Sequence, residues 1–260
     1  MAQRSDTEEH RAEECTASSL QNRMPPGTMP SLRQRWDATW QRLHSTATPA
    51  ATPAGTSTAA WSATAHDALF ADLEHRYREP QRHYHTLQHL EECFAALDDA
   101  RPDMDDVAAV ELALWFHDAV YDVHRHDNEE RSAALATVRL TQAGVAPTRV
   151  AGVADLILAT RHHAPAAGTD AAALVDTDLA ILGATPARFD EYERQIRAEY
   201  AHVPDDVFVP ARRRILEDFL QRPVLFATPA LRARHEPQAR INLAAALQRL
   251  ARQSFPGACC

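Results

Sequence analysis

The 260-residue sequence predicts an all-α protein, and three observations lead there. From residue 61 to 251 apolar residues recur at three- and four-residue spacing, the period of a helix with one buried face. Alternation at period two, which a half-buried strand needs, is nearly absent. Breaks at Pro80, Pro102, Gly144 and Pro147, Pro165 and Gly168, Gly183 and Pro186, Pro204, Pro223, Pro229 and Pro237 leave segments of about 12–20 residues, the usual length of a globular helix. The expected architecture is a compact multi-helix bundle without internal repeats.

In chain order, residues 1–30 are polar, contain proline and carry no period, so they are expected to be disordered. Residues 31–45 (SLRQRWDATWQRLHS) place Leu32, Trp36, Trp40 and Leu43 on one stripe of an amphipathic helix, either docked on the main domain or free of it. Residues 46–60 (TATPAATPAGTSTAA) read as an Ala/Thr/Pro linker. The stretch 1–60 is therefore an extension, 61–251 the helical domain and 252–260 a flexible tail. The length suits one or at most two domains of about 100–200 residues.

Composition excludes several function classes. The formal net charge of −9 argues against wrapping DNA or coating an anionic membrane. No apolar run approaches a membrane span, and the charged start Met1–Arg11 lacks the apolar centre of a signal peptide, so a cytoplasmic location is expected. Cys15, Cys93, Cys259 and Cys260 are too few and too unevenly placed for a disulfide framework or a cysteine-type zinc site. The terminal Cys259–Cys260 pair is only a weak prenylation signal.

Histidine directs the search for chemistry, because nine of the 14 histidines fall between residues 75 and 163. In residues 105–122 (DDVAAVELALWFHDAVYD) a helical wheel puts Val107, Val110, Leu114 and Tyr121 on an apolar stripe with His117 and Asp118 at its margins. A carboxylate in a core costs several kcal/mol unless it has a hydrogen-bonded partner or a metal ion. In residues 84–97 (YHTLQHLEECFAAL) the stripe is Leu87, Leu90, Phe94 and Leu97, with His85 and His89 four apart beside it. In residues 170–183 (DAAALVDTDLAILG) the wheel buries Asp178 and turns Asp176 to solvent. Three helices thus direct His89, the His117–Asp118 pair and Asp178 inward. One metal ion would satisfy all of them, and imidazole with carboxylate suits Zn, Mn, Fe or a Mg-like ion. The competing reading is a helical scaffold with satisfied core histidines.

The ordered set Y-H-x-L-x-H at 84–89, H-D at 117–118 and a late Asp178 resembles the signature of the HD superfamily of metal-dependent phosphohydrolases. The strings WFHDAVYD, DNEERSA and DTDLAILG resemble an uncharacterised phosphohydrolase branch of that superfamily, over about residues 65–250. The resemblance implies an HD-type bundle in which His89, His117, Asp118 and Asp178 hold one or two divalent ions. It implies His85 as the acid that protonates the leaving oxygen, by similarity to the Y-H-N-x-x-H segment of cyclic-nucleotide phosphodiesterases, with Thr86 in place of the asparagine. Asp122 matches a carboxylate near the attacking water in alarmone hydrolases, although Tyr121 departs from their Glu-Asp pair. His162 or His163 would be a second-site ligand, with Glu129 standing in for a further histidine and assisting Asp122.

Each of these also has a structural reading. Asp127 with Glu130 resembles a capping box, and histidines before Pro165 suit a helix C-terminus. For phosphate the first candidates are Arg82 and Arg161, followed by Arg197 and Arg240, because the guanidinium fork matches phosphate oxygens. Arg212, Arg213 and Arg214 read as a solvated face opening a helix. The expected activity is hydrolysis of a phosphoester or phosphoanhydride, with a small phosphorylated substrate, a nucleotide by family analogy. A di-iron oxygenase and a non-catalytic metal- or nucleotide-binding sensor are the alternatives. The sequence leaves oligomeric state open.

Overall fold

The computed structural model describes residues 29–45, 63–162 and 168–253, and the expectations for the N-terminal 28 residues, the linker and the C-terminal tail lie outside them. Among the described residues there are ten α-helices and no strand, as the periodicity predicts. They are α1 (Leu32–Ser45), α2 (Ala63–Arg76), α3 (Leu87–Ala100), α4 (Val107–Phe116), α5 (Asn128–Gln142), α6 (Pro147–Ala159), α7 (Thr169–Asp178), α8 (Pro186–Glu199), α9 (Asp205–Gln221) and α10 (Pro229–Gln253). Short 3-10 turns cover Arg101–Asp103, Thr160–His162 and Leu179–Gly183. None of these helices is long and apolar enough to cross a membrane.

Local chemistry sets the helix ends. Asp106 caps α4 by accepting from Ala109 N, Thr185 caps α8 by accepting from Arg188 N, and Pro147 and Pro186 occupy first-turn positions that need no N–H donor. Helix α5 ends at Gly144 with φ +73°, where Val145 N donates to Leu140 O and Gly144 N to Thr141 O, a Schellman closure that a side chain at Gly144 would strain. Pro229 opens α10, but Pro237 does not break it. Both Pro237 and Ala233, whose carbonyl loses its helical donor, are at least partly open to solvent, so water can satisfy that group.

Two apolar clusters form the core. The first gathers α1 to α6 around α4, whose residues Ala108–Phe116 are all buried. Helix α1 is docked there rather than detached: Trp36 packs edge-on against Trp115 at 5.3 Å and against Trp40 at 5.5 Å. Burying each such aromatic stabilises the fold by about 1.5–3 kcal/mol. The second cluster joins α8, α9 and α10 to the Leu179–Gly183 turn. Gly183 lets α10 approach closely, since a Cβ there would lie 2.5 Å from His235 Cβ. Helix α3 serves both clusters, with Leu90, Phe94 and Leu97 in the first and Ala96 and Ala100 in the second. Helix α7 does likewise, through Leu174 and through Ala173 and Val175. His89 lies on α3 and Asp178 at the end of α7, the two helices that both clusters share.

Candidate metal centre

Helix α4 ends at Phe116, one residue before the His-Asp pair, so the wheel that carried the stripe on to Tyr121 does not apply. His117 is the C-cap, its Nδ1 donates to Leu114 O at 2.8 Å, and Ala119 N turns back to Phe116 O. That bond fixes the tautomer and leaves the Nε2 lone pair of His117 for a ligand. His89 sits in the first turn of α3, which starts at Leu87, and Asp178 is the last residue of α7.

The four side chains converge. His89 Nε2 lies 3.2 Å from His117 Nε2. Asp178 Oδ1 lies 3.3 and 3.6 Å from the Nε2 atoms of His89 and His117. Asp118 Oδ2 lies 3.6 and 3.2 Å from the same two atoms. Bonds of about 2.0–2.2 Å to a common cation put neighbouring ligand atoms about 2.8–3.6 Å apart, so the observed spacings are those of a coordination shell. The ligand atoms of His89, His117 and Asp178 all fall within 4.8 Å of one another, and this group could hold a metal ion. Both histidines are 1% exposed. Burial opposes protonation of His117, yet Asp118 and Asp178 outweigh it and raise its pKa well above the ordinary value, the mark of a place that favours a cation. Burial also pushes up the thiol of Cys93, 3.6 Å from His89 Nδ1, so it stays neutral.

His85 is not on α3 beside His89 but in the turn before it, with ring centroids 5.7 Å apart. Its ring stacks on Tyr121 at 4.0 Å and its Nδ1 meets Glu199 Oε2 at 2.8 Å. Glu199, unforeseen from the sequence, closes α8 and is buried. Its Oε1 accepts from the backbone N–H of His83, Tyr84 and His85, and its Oε2 from Tyr121 Oη. Burial opposes its ionisation, but His85 and these N–H groups overcome it and draw its pKa to about 2. Burial also opposes protonation of His85, and Glu199 with Asp118 more than compensates, raising it. The missed signal was spacing: Phe189, Tyr192, Ile196 and Glu199 recur at three-four-three and all are buried, so the carboxylate lies on an apolar stripe.

The other candidates have the following surroundings. Arg82 is enclosed rather than offered to a substrate: its guanidinium donates to Glu79 and to the carbonyls of His85, Asp118 and Ala119, and lies over the rings of Tyr77 and Tyr121. It ties the His85 turn to the His-Asp turn. Arg161 pairs with Glu130, Arg197 with Asp205 and two carbonyls, and Arg240 with Glu236 and three carbonyls. Arg212 lies within α9, buried against Tyr192 Oη and Glu193. Asp122 makes local bonds, its carboxylate accepting from His124 N and its backbone bracketed by Asn128. Asp127 makes no capping bond and pairs with Arg125 instead. Burial raises the pKa of Tyr200, and Glu199 and, least, nearby Glu129 add to it. The side chain of His162, and His163 altogether, lie outside the described residues.

Asp176 and Asp178 exchange their expected roles in part. Asp176 is buried at 2% exposure, accepting from Ala227 N, Thr228 N and Thr228 Oγ1, whereas Asp178 reaches the imidazoles. Helix α7 is buried on nearly every side over Ala172–Thr177 and passes into a 3-10 turn after Asp178, so a 100° wheel finds no solvent face there. No family model, curated protein or solved structure matches the chain.

Proposed function

We propose that the chain is a metal-dependent phosphohydrolase of the HD type, cleaving a phosphoester or phosphoanhydride. The observation that carries this reading is the four-residue cluster of two imidazole nitrogens and two carboxylates at 3.2–3.6 Å, flanked by the His85–Glu199 pair. His89, His117, Asp118 and Asp178 would hold a divalent ion, Mn, Fe, Zn or Mg, which when bound supplies an acidified water and neutralises charge on phosphate oxygens.

The protein's own groups then have defined tasks. Water gives one proton to solvent as its oxygen bonds to phosphorus, the bond from phosphorus to the leaving oxygen breaks, and that leaving oxygen needs a proton. His85, held at Nδ1 by Glu199, has Nε2 as its remaining donor atom and delivers that proton. Glu199 fixes the ring and favours its charged form, and the Tyr121 ring beneath it limits rotation. Arg82 acts on position alone, by holding the carbonyls of His85 and Asp118 to one guanidinium.

The test is a hydrolysis panel with Mn²⁺: nucleoside mono-, di- and triphosphates, cyclic nucleotides, dinucleoside polyphosphates, sugar phosphates and the alarmone. Asp118→Ala serves as control, with metal content measured on each batch. Turnover of one class that vanishes with Asp118→Ala is the expected result. Metal bound without turnover of any ester overturns the hydrolase.

A further inference from the structure

Beside the candidate metal centre lies a cavity of about 280 Å³, between α3, the Leu179–Gly183 turn, the start of α8 and α10. His89 and Asp178 form part of its wall, so an occupant lies next to the coordinating atoms. Thr177 also lines it. Thr177 is 1% exposed and its buried hydroxyl has no hydrogen-bond partner. A buried hydroxyl left in this way costs about 1–3 kcal/mol, a penalty that a ligand hydroxyl would remove.

The charges around the cavity are already matched. Arg188 is held by both oxygens of Glu92 at 2.6 and 3.0 Å, and Arg234 is paired with Asp99. Burial lowers the pKa of His235, so that ring is neutral. Such walls do not call for a second anion. They suit a neutral group that presents hydroxyls to polar atoms and carbon to Ala180, Ile181 and the Tyr84 ring. At about 30 Å³ per water the space equals roughly nine waters, the bulk of one sugar ring.

We propose that this cavity binds the alcohol side of the substrate as a single pentose-sized, hydroxylated ring, with one hydroxyl on Thr177 and the phosphate beside the ion that His89 and Asp178 would help to hold. This rests on the phosphohydrolase reading and names its substrate class, a phosphomonoester of a small sugar, free or as the ribose of a nucleotide.

The experiment uses the full chain with Mn²⁺ and compares ribose 5-phosphate, adenosine 5′-monophosphate and p-nitrophenyl phosphate, with Thr177→Val, Thr177→Ser and Ile181→Trp. The expected result is that Thr177→Val raises KM about tenfold for a pentose ester relative to p-nitrophenyl phosphate, the size of one hydrogen bond. Thr177→Ser keeps the wild-type ratio, Ile181→Trp abolishes the preference, and metal content is the same throughout. Preference for ribose 5-phosphate assigns the site to free sugar phosphates, and preference for the monophosphate assigns it to nucleotides. An unchanged ratio in Thr177→Val and Ile181→Trp overturns the cavity assignment while leaving the hydrolase intact. If no ester is cleaved, calorimetry with ribose 5-phosphate and Mn²⁺ decides: binding weakened by Thr177→Val keeps the cavity and removes the hydrolase, and absence of binding removes both.

Discussion

Two clusters of buried charge meet the same central helix, one at Glu111 in its middle and one at its C-cap, His117. At Glu111, in the middle of α4, the carboxylate accepts from Thr39 Oγ1 at 2.9 Å, from Arg42 at 2.5–3.0 Å and from Arg101 at 2.6 Å. At the C-terminal end of α4, Asp118 and Asp178 instead face two imidazoles at 3.2–3.6 Å. Every basic residue among the 27 Lys+Arg is an arginine, so the chain's own permanent cation is the guanidinium, and it spends two on Glu111. Where the buried charge is structural, the protein supplies the counter-charge in close contact. Where it gathers imidazole and carboxylate at coordination-shell spacing, the group could hold a metal ion.

The largest expected effect follows from breaking the second cluster. Asp118→Asn should weaken metal binding about 100-fold or more and abolish hydrolysis, measured by metal analysis after dialysis and by initial rates. In the metal-free protein the same change should lower Tm only modestly, because charged His117 loses one counter-charge while Asp178 keeps the other. A metal-free loss as large as that of Glu111→Ala would show that Asp118 is matched within the protein as fully as Glu111 is. Breaking the first cluster should do the opposite. Glu111→Ala takes from Arg42, Arg101 and Thr39 the buried acceptor they share, while Arg101 keeps Asp98, and should cost about 3 kcal/mol, a fall in Tm of roughly 6–12 °C, with metal affinity intact. Loss of metal from Glu111→Ala would mean that the two ends of α4 are coupled.

The residues of the second cluster are legible in the sequence, whereas roles set by distant partners are not. Leu90, Phe94 and Leu97 are one stripe of α3, and His89 beside them was readable because a histidine on a buried stripe needs a reason. The His117–Asp118 pair was readable for the same reason, although the turn that presents it was not, since Leu114 O accepts from His117 Nδ1 only once α4 has ended. The partners of Glu199 lie 78 and 114–116 residues away. Arg82 looked like a phosphate ligand because nothing local shows that carbonyls 36 and 37 residues on will enclose it.

Glu199 stands between the two clusters in kind, a buried carboxylate matched by an imidazole instead of a guanidinium. Glu199→Gln should lower kcat about 10–100-fold with KM and metal content little changed, because His85 loses both its orientation and the charge that favours its protonated form. The pH dependence gives a readout that separates this role from a purely structural one. The native carboxylate ionises at about 2 against an ordinary 4.5, so wild type holds that stabilisation above pH 4.5 and loses it as pH falls towards 2. The Tm gap between wild type and Glu199→Gln should therefore be full at pH 7 and shrink as pH falls from 4.5 towards 2. A gap that stays constant with pH would mean that the amide is penalised for its shape and not for its charge.

The smallest effect is expected two residues from a ligand. Asp176 accepts three hydrogen bonds from the 227–228 segment, which an asparagine side chain would match only in part, since its amide nitrogen meets donors where an oxygen stood. Against that loss, burial already holds the Asp176 carboxyl above its usual pKa despite those bonds, so the neutral amide escapes a desolvation cost. The two terms nearly offset, and Asp176→Asn should lower stability by about 1 kcal/mol in a urea titration with metal content and rate unchanged. Asp178→Asn, on the same helix, should lose the metal and the rate. If the two substitutions instead gave the same pattern, the line drawn between matched and metal-seeking carboxylates would fail at its narrowest point, where a shift of two positions along α7 separates a loop anchor from a ligand.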